Sequence, residues 1–149
     1  MDNRDGCPTL TMRILGVDQG SKRIGLAISD ETGTVATPVG YVSSLAELLR
    51  VAAERGAQQI VVGVPRRLDG TASGQTDRTL AFIATLEKTT TLPVARWDER
   101  LTTAQAERVL IEGNVRRADR REKRDQLAAQ LLLQSYLDAQ NAARMRDEG

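Results

Sequence analysis

The chain has 149 residues, of which 40% are hydrophobic and only 3% aromatic, and it carries a net charge of +1. That length fits one compact domain, with a core built from Leu, Ile, Val and Ala rather than rings. There is no histidine and a single cysteine, Cys7. This excludes imidazole catalysis, an intrachain disulfide and most zinc sites, and leaves carboxylates, Lys, Arg, Tyr and hydroxyls for chemistry.

Met1 to Met12 is polar, with Gly6 and Pro8, and reads as a flexible leader (1–12). No signal-peptide pattern and no bilayer-length apolar run is present, so a cytoplasmic protein without a membrane partner is expected. Three strands follow, Arg13–Val17, Ile24–Ser29 and Thr34–Val42; their short links predict an antiparallel meander. Ser44-Leu-Ala-Glu47 has the capping-box pattern and opens a helix to about Arg55, with Gly56 placed to end it. Ile60–Val64 is a short apolar strand of the buried type. A loop from Pro65 to Gly74 leads to a helix over Gln75–Lys88, and Pro93–Trp97 is a fifth strand. Thr102 starts a further helix that ends before Gly113. The last helix spans Glu122–Ala139, and 140–149 reads as a flexible tail. Strands joined through helices are expected to be parallel with right-handed crossovers. The fold class is therefore α/β, a mixed five-stranded sheet flanked by helices, in one domain over 13–139.

Three acids stand in unusual company. Asp18 follows the apolar run Ile14-Leu-Gly-Val17 and is flanked by Gly16 and Gly20. A carboxylate there is costly unless paired or bound to a cation, although a turn aspartate at a strand end accounts for it equally well. Glu99 follows Trp97 and Asp98 at the carboxyl end of another strand, where ligands bind in open α/β sheets; an acid at the start of a helix is the plainer reading. Asp125 shares a helical stripe with Ala128, Ala129, Leu132 and Tyr136, but an acid in a first helical turn is ordinary. Taken together, the three supply oxygen ligands for Mg²⁺ or Mn²⁺ from separate elements.

Positive charge is concentrated locally. Arg116, Arg117, Arg120, Arg121, Lys123 and Arg124 face only Asp119 and Glu122 within one short segment. Lys22 and Arg23 follow Asp18, and Arg66 and Arg67 follow the fourth strand. All ten are candidates for phosphate contact, set against ordinary solvated surface charge. With so few aromatics, recognition by backbone or shape is expected over extensive base stacking. Trp97 and Tyr136 read as core.

The segment Gly16-Val-Asp-Gln-Gly-Ser-Lys-Arg-Ile-Gly-Leu-Ala-Ile-Ser-Asp30 resembles the opening motif of the YqgF, or RuvX-type, family. Gly63-Val-Pro65 with Asp69-Gly70 and Gly74 resembles its central loop. Asp98-Glu-Arg-Leu-Thr-Thr103 with Ala106-Glu107 resembles its third block. Lys123-Arg-Asp125, Ala128-Ala129 and Gln134-Ser-Tyr-Leu137 resemble its last. The four blocks run in order from Arg13 to Leu137. The resemblance implies an RNase H-like nuclease, of a family described as Holliday-junction resolvases or as nucleases processing the 5′ end of the 16S rRNA precursor.

By that resemblance Asp18, Glu99 and Asp125 are the acidic metal ligands. The expected reaction is phosphodiester hydrolysis in which Asp18 would bridge two divalent ions, and the resemblance implies a 5′-phosphate and a 3′-hydroxyl as products. The partner is then nucleic acid, either an rRNA precursor or branched DNA. A resolvase works as a homodimer across a two-fold junction, whereas an RNA-processing nuclease also works as a monomer. Two other classes compete. The aspartate and glycines before a hairpin also resemble the phosphate turn of actin-like ATPases and sugar kinases, but that architecture needs two such domains. A non-catalytic nucleic-acid or ribosome-assembly module on the same fold is the third reading.

Overall fold

A computed structural model describes residues 13–20, 22–66, 69, 71–99 and 117–148, with side chains of the last span described from 128 to 144. The leader through Met12, the helix expected from Thr102, Arg67 and Arg116 lie outside the described residues.

Five strands form one sheet: β1 Ile14–Gln19, β2 Ile24–Ser29, β3 Ala36–Val42, β4 Gln59–Val64 and β5 Val94–Asp98. Their order is β3-β2-β1-β4-β5. β1 pairs antiparallel with β2, and β2 with β3, so the expected meander is present. β4 lies parallel to both β1 and β5. Among the described residues the helices are α1 Leu45–Glu54, α2 Gly74–Thr89 and α3 Arg117–Glu148. The sheet is mixed and five-stranded, as the sequence predicts.

Alternation along the strands divides the core in two. Leu15 and Val17 of β1 join Leu26, Ile60, Val62, Leu48, Ile83 and Leu86 on the face covered by α1 and α2. Ile14 joins Ala27, Val61, Ala129, Leu133, Tyr136 and Leu137 on the face covered by α3. Gly16 and Asp18 share parity with Ile14 and so belong to the α3 face. A Cβ on Gly16 would stand 2.8 Å from Leu133 Cβ and 3.4 Å from the Ala129 carbonyl. The missing side chain is what lets α3 lie directly on β1.

Local chemistry fixes the helix starts. Ser44 caps α1 by accepting from the Glu47 amide. Glu47 Oε1 closes the box one residue early, accepting from the Ser43 amide and hydroxyl at 2.8 Å each. Ser73 and Thr76 form a reciprocal capping box on α2, and the Thr76 hydroxyl donates to the Pro65 carbonyl, tying α2 to the loop after β4. α3 is longer than apolar periodicity marks, reaching Glu148. Its flanks are rich in Arg, Glu, Gln and Ala, which favour helix without asking for burial.

Candidate active site at the carboxyl end of β1

β1 continues through Asp18 to Gln19, so Asp18 lies inside the ladder, not after it. It pairs with Gly25 of β2. On the other side Val17 pairs with Val62 and Gly63 with Trp97, which puts Gly63 next to Asp18 across the sheet. Glu99 extends β5 by one step, its amide donating to the Val64 carbonyl at 3.1 Å. The two acids therefore come from strands separated only by β4.

Gly63 makes their meeting possible. A Cβ on Gly63 would stand 2.9 Å from Glu99 Cγ, 2.9 Å from Glu99 Oε2 and 2.9 Å from Leu132 Cδ1. The Glu99 side chain thus lies back across β4, over the glycine and against α3, to reach Asp18. A glycine inside a buried strand is a signal for close approach of another group, and it is the site residue that sequence reasoning did not single out for this role.

The electrostatics follow from that geometry. The Glu99 carboxyl is pushed up to about 9, first by burial, then by the Asp18 charge and the hydrogen bond with Asp18, and lastly by Asp98. Two carboxylates in a partly dehydrated notch cannot both stay ionised without a counter-charge. A proton shared by the pair, or a cation, satisfies the site. The donors are carboxylate oxygens on two rigid strands, with a glycine-walled notch between them. That set fits a hard divalent cation such as Mg²⁺ or Mn²⁺.

Among the described residues no group of three acids converges. The third expected ligand, Asp125, lies on α3, but its side chain is outside the described residues. Where α3 crosses β1 it runs opposite in direction, with Tyr136 and Leu137 grouped with Ile14, and Ala129 and Leu133 over Gly16. Residue 125 is one helical turn before Ala129, about 6 Å along the axis. The step from Gly16 to Asp18 along β1 is a similar distance.

The basic candidates divide. Lys22 and Arg23 are exposed beside Asp18 in the β1–β2 hairpin, and the Arg23 guanidinium lies 4.2 Å from the Tyr41 ring centre. Arg66 is exposed just past β4. Arg117, Arg120, Arg121, Lys123 and Arg124 fall on α3, with their side chains outside the described residues. Trp97 packs edge-on to Tyr136, with ring centres 5.6 Å apart, and both belong to the α3-face core. Trp97 Nε1 is buried with no hydrogen-bond partner among the described residues.

The family model described as "RuvX: Holliday junction resolvase" matches residues 12–139. The chain belongs to the RuvX family. A relative from Pelotomaculum thermopropionicum, named "Putative pre-16S rRNA nuclease", is 41% identical over 93% of this chain and 94% of its own length. One from Symbiobacterium thermophilum with the same name is 44% identical over 88% of this chain and 95% of its own. Among solved structures, "T. thermophilus RuvC in complex with Holliday junction substrate" is 14% identical with a TM-score of 0.53, covering 88% of this chain and 96% of that one. The likeness to RuvC is one of fold, and it supports the RNase H-like class read from the RuvX motifs.

Proposed function

We propose that this RuvX-family chain is a divalent-metal-dependent nuclease acting on structured nucleic acid, with the 5′ end of the 16S rRNA precursor as its substrate. The observation that carries the reading is the Asp18–Glu99 pair, two acids from different strands brought together over Gly63. Membership of RuvX supports the reaction class, and the names of the relatives support the substrate.

In this reading Asp18 and Glu99 hold the metal, with Asp125 as the third carboxylate. When bound, a divalent cation activates the attacking water and offsets charge on the leaving oxygen. Asp18 and Glu99 would hold that cation through their carboxylate oxygens, and Glu99, protonated in the metal-free pair, would have to release its proton to do so. Lys22, Arg23 and Arg66 line the approach and meet backbone phosphates; the basic positions Arg67, Arg116, Arg117, Arg120, Arg121, Lys123 and Arg124 extend that contact. Because phosphates carry no sequence information, recognition is by strand position and shape. No described helix is long and apolar enough to cross a membrane.

The family description favours a second substrate, the four-way DNA junction. One preparation should be given a 16S precursor fragment and a four-way junction side by side, with Mg²⁺ or Mn²⁺ and with chelator. Cleavage of the precursor, lost on chelation, is expected. Metal-dependent cutting of the junction alone would move the substrate to DNA. No cutting of either by folded, metal-loaded protein would remove the nuclease reading and favour a binding module.

A further inference from the structure

A cavity of about 250 Å³ opens beside the end of β1, lined by Gln19, Gly20, Gln75 and Arg78. It lies next to the acid pair but on the other side of the strand: Asp18 belongs to the α3 face, whereas Gln19 meets α2. Its volume is somewhat below the roughly 300 Å³ at which small-molecule sites begin. That suits a phosphate with its sugar better than a cofactor.

The lining is made of donors. The Thr79 hydroxyl donates to Gln19 Oε1 at 3.2 Å. This occupies the oxygen end of the Gln19 amide and leaves its NH₂ for a ligand. Gln75 adds a second amide. Arg78 lies back over the first turn of α2, its Nη1 3.7 Å from where a Cβ on Gly74 would stand. A cation at that end of a helix is placed against the dipole. The ion pairs among the described side chains are Arg13–Glu31, Arg50–Glu47 and Arg96–Glu87. Arg78 is in none of them, and no carboxylate is among the described residues that line the cavity.

We infer that the cavity formed by Gln19, Gln75 and Arg78 is a second phosphate subsite, holding a backbone phosphate next to the one cleaved at Asp18–Glu99. The inference rests on the nuclease reading and deepens it. Gln19 directly follows Asp18 in β1, so the cavity and the acid pair flank the same carboxyl end of one strand from opposite faces, and a nucleic-acid strand crossing that end meets both. Arg78 then acts as a positioning residue: it anchors the neighbouring phosphate by a forked contact and fixes where the scissile bond rests.

The test separates binding from cleavage. In an Asp18→Asn background, the affinity of a labelled 16S precursor fragment is measured from about 50 to 300 mM KCl, with and without Arg78→Ala. Arg78 is exposed on a helix that tolerates alanine, so the fold is expected to persist, with circular dichroism as the check. Loss of one phosphate contact should weaken binding about tenfold and flatten the log–log salt slope by about 0.7 to 0.9. Arg78→Lys should restore the slope but only part of the affinity, since it keeps the charge and loses the fork. Arg50→Ala, an equal charge change on α1, should leave the slope unchanged. An unchanged slope in Arg78→Ala overturns the subsite while leaving the nuclease reading standing. No binding by the parent protein overturns both. Inorganic phosphate serves as a separate probe: if Arg78→Ala abolishes its binding but spares the oligonucleotide slope, the cavity is a free-anion site and the inference fails.

Discussion

Glu99 shows how one missing side chain sets a chemical state. Gly63 leaves the space, Glu99 fills it, and burial together with the nearby Asp18 charge holds the Glu99 carboxyl protonated at neutral pH. The ordinary value is 4.5 and the folded value about 9. Between those pH values the metal-free folded state binds more protons than the unfolded chain. The contribution of Glu99 to stability is therefore full below about pH 4.5 and lost as pH rises through about 9. In chelator, the melting temperature of the wild type should fall between about pH 5 and 9 more steeply than that of Glu99→Gln. Adding Mg²⁺ or Mn²⁺ at the alkaline end should raise the wild type and not the variant. Parallel pH profiles for the two proteins would remove Glu99 from the site. The spacing of Glu99 in the sequence could not show this, because the cause is a glycine thirty-six positions earlier that only strand pairing brings alongside.

At the scale of elements, the position of α3 matters most, because α3 carries Asp125. Three amide side chains fasten it to the backbone of the β2–β3 hairpin. Gln134 accepts from the Ala36 amide at 2.9 Å and donates to the Thr34 carbonyl at 2.7 Å. Gln130 donates to the Ala36 carbonyl at 3.1 Å, and Asn141 to the Gly33 carbonyl at 3.2 Å. These bonds also cover polar groups of the edge strand β3. Asp30 holds the same turn from the other side, accepting from Thr34 and Val35 amides at 2.8 and 3.0 Å and from the Thr32 hydroxyl at 2.6 Å. Those bonds keep its carboxyl low, at about 2. Gln134→Ala removes both bonds to the hairpin and an exposed one to Asp138, and should cost about 1–2 kcal/mol in chemical denaturation. It should also reduce cleavage more than that loss of stability accounts for, because α3 is no longer held in register over Gly16. A loss of stability with unchanged kcat would show that α3 keeps its place without the fastening.

The elements themselves were largely legible. β2 matches its expected bounds, Ile24–Ser29, and α2 differs from Gln75–Lys88 by one residue at each end. Alternation and capping residues are local signals, and they suffice there. The last helix was less legible, since the expectation of Glu122–Ala139 followed its apolar stripe while its polar ends remain helical to Arg117 and Glu148. Asp18 stands out by its apolar neighbours, but its place inside the ladder does not, because the apolar run that marks the strand ends at Val17 while pairing continues to Gln19. The Arg78 cavity leaves no mark in the sequence: its described residues are ordinary and drawn from segments more than fifty positions apart.

For the whole molecule, a net charge of +1 means that affinity for nucleic acid must come from where the cations lie, not from their sum. The sheet's carboxyl edge gathers two acids, exposed Lys22, Arg23 and Arg66, and the Arg78 cavity at one end of the fold. The RuvX match covers residues 12–139, so the proposed metal ligands and the proposed strand-holding groups all fall within it. The central claim is that Asp18 is a metal ligand of a nuclease site. Its most direct test is divalent-dependent cleavage of a 16S precursor fragment by Asp18→Asn, a change that keeps the size and removes the charge, with circular dichroism confirming the fold. Asp18→Asn should lower kcat at least about 10²-fold with the fold intact. Cleavage by the folded variant at the wild-type rate and with the wild-type metal dependence would contradict it.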